Sequence, residues 1–253
     1  PREILGKRSM GEHAQRLGRR MIQYLTGNPP FGAGFEFDAR LRPSGSSGVL
    51  VTGITGFRDY QLHEAQTWEH QALCRARSVA GQVEDRKRVD EVVQNVLNQK
   101  RDHAALAADV LTMRHKMLNH LGSKSDAIIN LKQDAGGMVD IEFMAQFARL
   151  AFAIKARRTI DILHQLPKSA PDGWHQYAGF LAETYLNYRQ MENVLRVELW
   201  SSIGKLPNDP AAIEWETMRR HAAVDSPQRL VERMTRVNRI FHALIVGTDV
   251  AQE

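Results

Sequence analysis

The sequence predicts an α+β fold that is predominantly helical, with a short extended region near its start and a helical bundle after it. Three observations carry this expectation. Residues 35–51, FEFDARLRPSGSSGVLV, open with alternation of apolar and charged residues, the period of a strand. After Gly48 the apolar residues recur three and four apart, the period of a helix. That longer period is sustained over residues 84–121 and 172–246. The shift in composition near Glu84 separates a mixed part, residues 1–83, from an all-helical part, residues 84–253.

In chain order, Ala14, Leu17, Met21 and Leu25 fall at helical spacing, with Arg16, Arg19 and Arg20 elsewhere on the wheel. Gly27-Asn28-Pro29-Pro30 stops that helix. Phe35, Phe37, Ala39 and Leu41 then share one face of an expected strand, and Glu36, Asp38, Arg40 and Arg42 the other. Pro43 has no N–H for a ladder and ends the strand. Val49, Leu50 and Val51 read as a return strand, which makes a hairpin. Thr55 suits an N-cap for a helix through Phe57, Tyr60 and Gln61 to Trp68.

The second part is a succession of helices. Val89, Val92, Val93, Val96 and Leu97 form one stripe, and Leu106, Val110 and Met113 continue the pattern to Met117 or Leu118. Ile128, Ile129 and Leu131 suit a short extended segment. Ala135-Gly136-Gly137 breaks it, and residues 138–153 read as an apolar helix. Further helices are expected over residues 160–166, 174–201, 209–222 and 226–246, the last opened by Ser226 as N-cap and Pro227 at the first helical position. No fixed-period repeat occurs, so the pattern is that of a bundle and not a solenoid.

Composition bounds the function. A chain of 253 residues has length for one large or two modest cores. Its 43% hydrophobic and 25% charged residues are those of a soluble globular protein. The net charge of +5 favours anionic partners without choosing among them. Against nucleic acid, 34 basic residues are scattered among 29 acidic ones, and no aromatic-basic stacking motif is present. The single cysteine, Cys74, excludes an intramolecular disulfide, suits a reducing cytoplasm, and reads as a small buried residue. No apolar run of about 18 residues is present to span a membrane, and no apolar signal region stands at the start. His63 and His70 are seven apart, the wrong spacing for two zinc ligands on one helix face.

The chemistry-bearing stretch is the strand face with its loop. Asp38 and Glu36 are oxygen donors of the kind Mg²⁺ takes. Arg40 and Arg42 beside them suit phosphate, as does the small, flexible run Ser44, Gly45, Ser46, Ser47 and Gly48. The same pattern also suits an ordinary exposed hairpin in which Glu36 pairs with Arg40. Asp140 has a structural explanation near a helix N-terminus. Glu142, among apolar Ile141, Phe143 and Met144, calls for a partner.

Two longer blocks, DARLRPSGSSGVLV with FRDYQ and TWEHQALCRARSVAG, and LKQDAGGMVDIEFMAQF, resemble the glutamine synthetase adenylyltransferase/adenylyl-removing family over residues 11–253. The wording around RPSGSSG resembles the C-terminal, adenylylating half more than the removing half. The resemblance implies that residues 1–83 are the distal part of a polymerase-β-like nucleotidyltransferase domain, with the first helix covering its sheet. It implies Asp38 as catalytic metal ligand and Glu36 as a candidate second, with Mg²⁺ and ATP as cofactors. Arg40, Arg42, Ser44, Gly45, Ser46, Ser47, Gly48, Arg75 and Arg77 would face the nucleotide, and Asp140 and Glu142 would contribute from the second block. The implied partners are glutamine synthetase and the PII signalling protein, in the cytoplasm. Such enzymes take two further carboxylates from a G-S-x-x-D-x-D motif, which this sequence lacks. The stretch as given is therefore expected to be inactive alone. The rival readings are the phosphorolytic, adenylyl-removing half and, from a different class, a non-catalytic helical module binding protein or nucleic acid.

Overall fold

The computed structural model describes residues 9–27, 34–198 and 204–247. The expected helix stop at residues 28–30 and the end of the long helix at 199–201 lie outside the described residues. The chain divides into two compact units, Pro1–Val96 and Leu97–Glu253. Within the described residues the fold is predominantly helical, with one small sheet.

The first unit opens with α1, Met10–Thr26. A capping box starts it: the Ser9 side chain accepts from the Glu12 N–H, and Glu12 accepts from the Ser9 N–H at 2.7 Å. α1 is amphipathic, yet Met10, Leu17, Met21 and Tyr24 are all exposed. The expected hairpin does not form. Residues 34–40 carry no strand, and Phe35, Phe37 and Leu41 are exposed, Phe35 at 77%. The cause is local competition for the backbone. Asp38 takes the Arg40 N–H at 2.9 Å, an Asx-type turn that pulls the chain out of ladder geometry. Val51, expected in a return strand, instead meets the side-chain amide of Gln15 on α1: its N–H donates to Gln15 Oε1 at 3.1 Å, and its carbonyl accepts from Gln15 Nε2. One glutamine amide offers the donor and acceptor that a partner strand would have offered.

Two helices then replace the expected single one. α2, Ile54–His63, starts from Gly53 and not from Thr55. α3, Thr67–Leu73, starts from a second capping box between Gln66 and Glu69, which is why the helix interrupts at Glu64 to Gln66. Cys74 at the end of α3 is buried. α4, Val83–Leu97, buries Val92, Val93, Val96 and Leu97, the stripe its spacing predicts.

The second unit is built around α6, Met138–Ala151, which packs against four other helices. These are α5, His103–Leu121; α7, Thr159–His164; α8, Asp172–Glu198; and α10, Pro227–Phe241. Ile141, Met144, Ala145 and Ala148 of α6 are wholly buried, so its apolar run is a core helix, buried nearly all round. Ser226 caps α10 by accepting from the Arg229 N–H, and Pro227 occupies the first turn, both as the sequence predicts. A π-type turn, His242–Val246, follows α10. The expected extended segment is β1, Ile128–Asn130, and its antiparallel partner β2, Lys205–Pro207, has no sequence signal beyond three residues. β2 leads to α9, Ile213–His221, whose Trp215 indole donates to the Pro207 carbonyl at 2.7 Å. No described helix is long and apolar enough to cross a membrane.

Candidate functional site

The stretch Asp38 to Gly48 is a closed turn and not an open loop. Asp38 and Arg40 form an exposed, two-pronged ion pair: Arg40 Nε lies 3.0 and 3.1 Å from the two carboxylate oxygens, and Nη2 lies 2.7 Å from Oδ2. The Arg40 side-chain hydrogen bond, followed by the Arg40 N–H, holds the Asp38 carboxyl down at about 2. Its charge is therefore present at any physiological pH. Arg42 points inward. Its guanidinium donates to the carbonyls of Ala39 at 2.6 Å, Ser46 at 3.2 Å and Gly48 at 3.3 Å. Gly45–Ser47 form a 3₁₀ turn, closed by the N–H groups of Ser47 and Gly48 donating to Ser44 and Gly45. A Cβ on Gly48 would lie 1.9 Å from the Pro43 carbonyl oxygen, so only glycine closes the turn. The hydroxyls of Ser44, Ser46 and Ser47 are exposed and unpaired among the described residues.

The structure thus brings Asp38 to Arg40, and Arg42 to the serine turn. Glu36 is exposed and does not pair with Arg40, whose carboxylate partner is Asp38. Arg75 and Arg77 lie exposed on the backbone that follows α3. No group of three His, Cys, Asp or Glu comes together to hold a metal among the described residues.

Sequence reasoning missed Tyr60 and Glu69. The Tyr60 hydroxyl donates to Glu69 Oε1 at 2.8 Å. The nearby Ser44 backbone N–H draws the phenol's pKa down. Desolvation, then Glu69 by hydrogen bond and charge, and the charge of Glu64 outweigh it, and the phenol stays above its ordinary range.

In the second motif the carboxylates serve the fold. Asp140, with only 3% of its side chain exposed, is ion-paired to Arg114, itself equally buried. Its other oxygen accepts the Gly136 N–H. Arg114 also donates to the carbonyls of Gln133 at 2.9 Å and Asp134 at 3.1 Å. Gly136 has φ +77°, and a Cβ there would lie 1.8 Å from the Met234 carbonyl oxygen on α10. The two glycines of this block thus permit close backbone approach. Glu142 has the partner its setting calls for, accepting from the Tyr185 hydroxyl at 2.9 Å. Arg114 was also missed, although a signal exists: it lies four residues after Val110 and eight after Leu106, on the face they bury. A cation in that register needs a buried acid.

Comparison with known proteins covers both units. Residues 6–92 match the family model described as glutamate-ammonia ligase adenylyltransferase. Residues 104–245 match the model described as PII-uridylyltransferase. The bifunctional glutamine synthetase adenylyltransferase/adenylyl-removing enzyme of Acinetobacter baylyi is 47% identical over 146 residues, which are 56% of this chain and 16% of that protein. That of Methylococcus capsulatus is 47% identical over 147 residues, 58% of this chain and 16% of its own. That of Hahella chejuensis is 48% identical over 143 residues, 54% and 15% respectively. Over more than half of its length the chain is thus similar to the glutamine synthetase adenylyltransferase/adenylyl-removing enzymes. Its match spans about a sixth of the length of these family members. Within the family match of residues 6–92 lie Asp38, Arg40, the serine turn, Tyr60 and Glu69.

Proposed function

We propose that this chain is part of a nucleotidyltransferase that moves AMP from ATP onto a tyrosine hydroxyl of glutamine synthetase. One observation carries the reading. Inside the stretch that matches the adenylyltransferase family model, an exposed, ionised Asp38 stands beside Arg40 and a turn with three outward hydroxyls. In this reading residues 1–83 belong to a polymerase-β-like nucleotidyltransferase domain and residues 84–253 to a helical one.

The reaction forms one bond and breaks one. The phenolic oxygen attacks the α-phosphorus, the bond from the α-phosphorus to the bridging oxygen of the β-phosphate breaks, and pyrophosphate leaves with the electron pair. The phenolic proton passes to solvent or to a base. Arg40 has 83% of its side chain exposed, so it is free to exchange Asp38 for a phosphate oxygen. Arg42 stiffens the turn from beneath, and the hydroxyls of Ser44, Ser46 and Ser47 donate to phosphate. Arg75 and Arg77 add exposed positive charge for the nucleotide. Asp140 and Glu142 act through the fold, since each already has a partner within the helical unit.

Mg²⁺, when bound, would neutralise charge on the phosphates. Asp38 and Glu36 have its donor chemistry, but with no group of three ligands among the described residues they do not hold the ion by themselves. The adenylyl-removing direction is the second reading, favoured by the bifunctional name of the relatives. It would run the same core with phosphate as the attacking group. Action in the cytoplasm and response to the PII signalling protein belong to this proposal too.

The test is a protein of full family length carrying this chain, given α-labelled ATP, Mg²⁺ and glutamine synthetase. Label on a glutamine synthetase tyrosine is expected. Phosphate-dependent release of AMP from modified glutamine synthetase, without forward labelling, would select the second reading. Neither activity would overturn both.

A further inference from the structure

We propose that the groove between α8 and α10 is a binding site for a small phosphate-bearing molecule, held by Arg229, Arg233 and Arg236. The site lies wholly in the helical unit and does not depend on the transfer reaction proposed above.

The sequence of α10, PQRLVERMTRVNRIF, writes two faces. Leu230, Met234, Val237 and Phe241 are buried and form the first. Arg229, Glu232, Arg233 and Arg236 follow the i, i+3, i+4, i+7 spacing of the second. Three cations so placed repel one another across about 5–6 Å, a cost that an ordinary solvated face of mixed charge avoids. Glu232 stands three residues after Arg229 and four before Arg236, the spacing of an ion pair, yet it pairs with neither among the described residues. All four side chains instead line a cavity of about 290 Å³, closed by Phe180 of α8 and by Val224 from the segment before α10.

The partners of the three arginines leave donors to spare. Arg236 is held by an aromatic ring and not by an acid: its Cζ lies 4.0 Å from the Phe180 centroid, and it has no hydrogen bond or ion pair among the described residues. Arg233 reaches Glu183 and the Thr184 hydroxyl only at 3.5 Å, the outer limit of a hydrogen bond. Arg229 pairs with Asp225 at 3.0 Å. The Glu183 carboxylate is 68% exposed and that of Asp225 39%, so water can take over both when a stronger anion arrives. A phosphate is such an anion. It carries about 1.5 to 2 negative charges near neutral pH and three terminal oxygens, where a carboxylate has one charge and two. Each guanidinium can meet it with a fork of two donors. The volume sits at the lower end of the about 300–1,000 Å³ usual for ligand sites, which suits a small body. A polyanion needs cations spread along an open track, and here they converge on one recess. Glu232, on the same lining, offers an acceptor to a hydroxyl or amino group of the body that carries the phosphate.

The test is arginine footprinting with phenylglyoxal, read by peptide mass spectrometry, on the full-length protein that carries the chain. Glycerol phosphate and inorganic phosphate are the probes, and acetate at equal ionic strength is the control. Labelling of Arg236 should fall saturably with either phosphate, to about a tenth at ten times the dissociation constant. Arg220, paired to Glu216 outside the cavity, should label at an unchanged rate throughout. Arg233→Gln should raise the concentration needed to protect Arg236 by about tenfold or more, as for loss of one charged donor pair. Arg229 is mostly exposed, so Arg229→Gln keeps the fold and should act in the same direction. Melting temperatures show which variants are folded. Absence of saturable protection in the wild type overturns the proposal, as does equal protection by acetate. Protection unchanged in a folded variant overturns it too. Tighter protection by an acidic peptide or a DNA duplex than by glycerol phosphate would give the groove to a macromolecule and also overturn it.

Discussion

Two carboxylates, one from each motif block, stand in opposite settings. Asp38 lies in the first unit on exposed backbone, with 54% of its side chain in solvent and a still more exposed arginine across from it. Asp140 lies in the second unit inside a wall of apolar side chains, with both oxygens committed to Arg114 and the Gly136 N–H. An exposed pair is worth little to stability and can open to admit a ligand. A buried pair cannot open without stranding a charge. Sequence pattern gives both residues as acids in glycine-containing motifs, and burial is what separates them. The proposed function assigns chemistry to the first, while the partners of the second hold the helical unit together.

The sharpest way to break this comparison is to remove the buried charge. Asp140→Asn leaves Arg114 buried without its anion and should destabilise the helical unit by about 3–5 kcal/mol. In thermal unfolding followed by circular dichroism this is a drop of roughly 10 °C. The double variant Arg114→Met/Asp140→Leu should recover part of the loss, since neither charge is then stranded. A single variant as stable as wild type would mean that the pair is not buried as described.

A smaller effect is expected at the glycine beside it. Gly136→Ala puts a Cβ against the Met234 carbonyl oxygen at a backbone of positive φ. We expect about 2–4 kcal/mol of destabilisation, from left-handed strain and overpacking together. Chemical denaturation checks this, and a change under about 0.5 kcal/mol would remove the close approach from the account.

The smallest stability effect is at Asp38, where pH sharpens the contrast. Its folded pKa of about 2 lies below the ordinary 3.8. The sign follows: the pair's contribution to stability is present above the ordinary value and is lost as pH falls through the folded value of about 2. Exposure to solvent keeps that contribution small. Carboxyl NMR should give a midpoint of about 2 in the wild type. In Arg40→Ala the midpoint should return part of the way towards 3.8, because the side-chain hydrogen bond and charge are lost while the backbone N–H at residue 40 remains. A midpoint unmoved by that substitution would detach Asp38 from Arg40.

The helical unit was largely legible because a helix makes its own hydrogen bonds. The stripes at Val92, Val93, Val96 and Leu97 and at Leu106 and Val110 need no partner to be read, and Ser226-Pro227 marks its own helix start. Residues 35–51 were misread for the converse reason. A strand is completed by a neighbour, and alternation alone does not say whether a neighbour will win against Asp38 capturing the Arg40 N–H or Gln15 bracketing Val51. Of the candidate site, the charged and serine residues were visible as a cluster. Their division of labour was not: Arg40 faces out while Arg42, two residues on, faces in. Tyr60 and Glu69 are nine residues apart on different helices, and no local period joins them.

The central claim is that Asp38, exposed and ionised, serves transfer and not the fold. The direct measurement is the initial rate of AMP transfer to glutamine synthetase by Asp38→Asn in the full-length protein, beside its melting temperature. The account predicts a melting temperature within about 2 °C of wild type, as for loss of one exposed pair. It predicts a rate lower by about 10²–10³, the usual scale when charge stabilisation at a phosphoryl centre is lost. Transfer near the wild-type rate by a folded Asp38→Asn protein would contradict it.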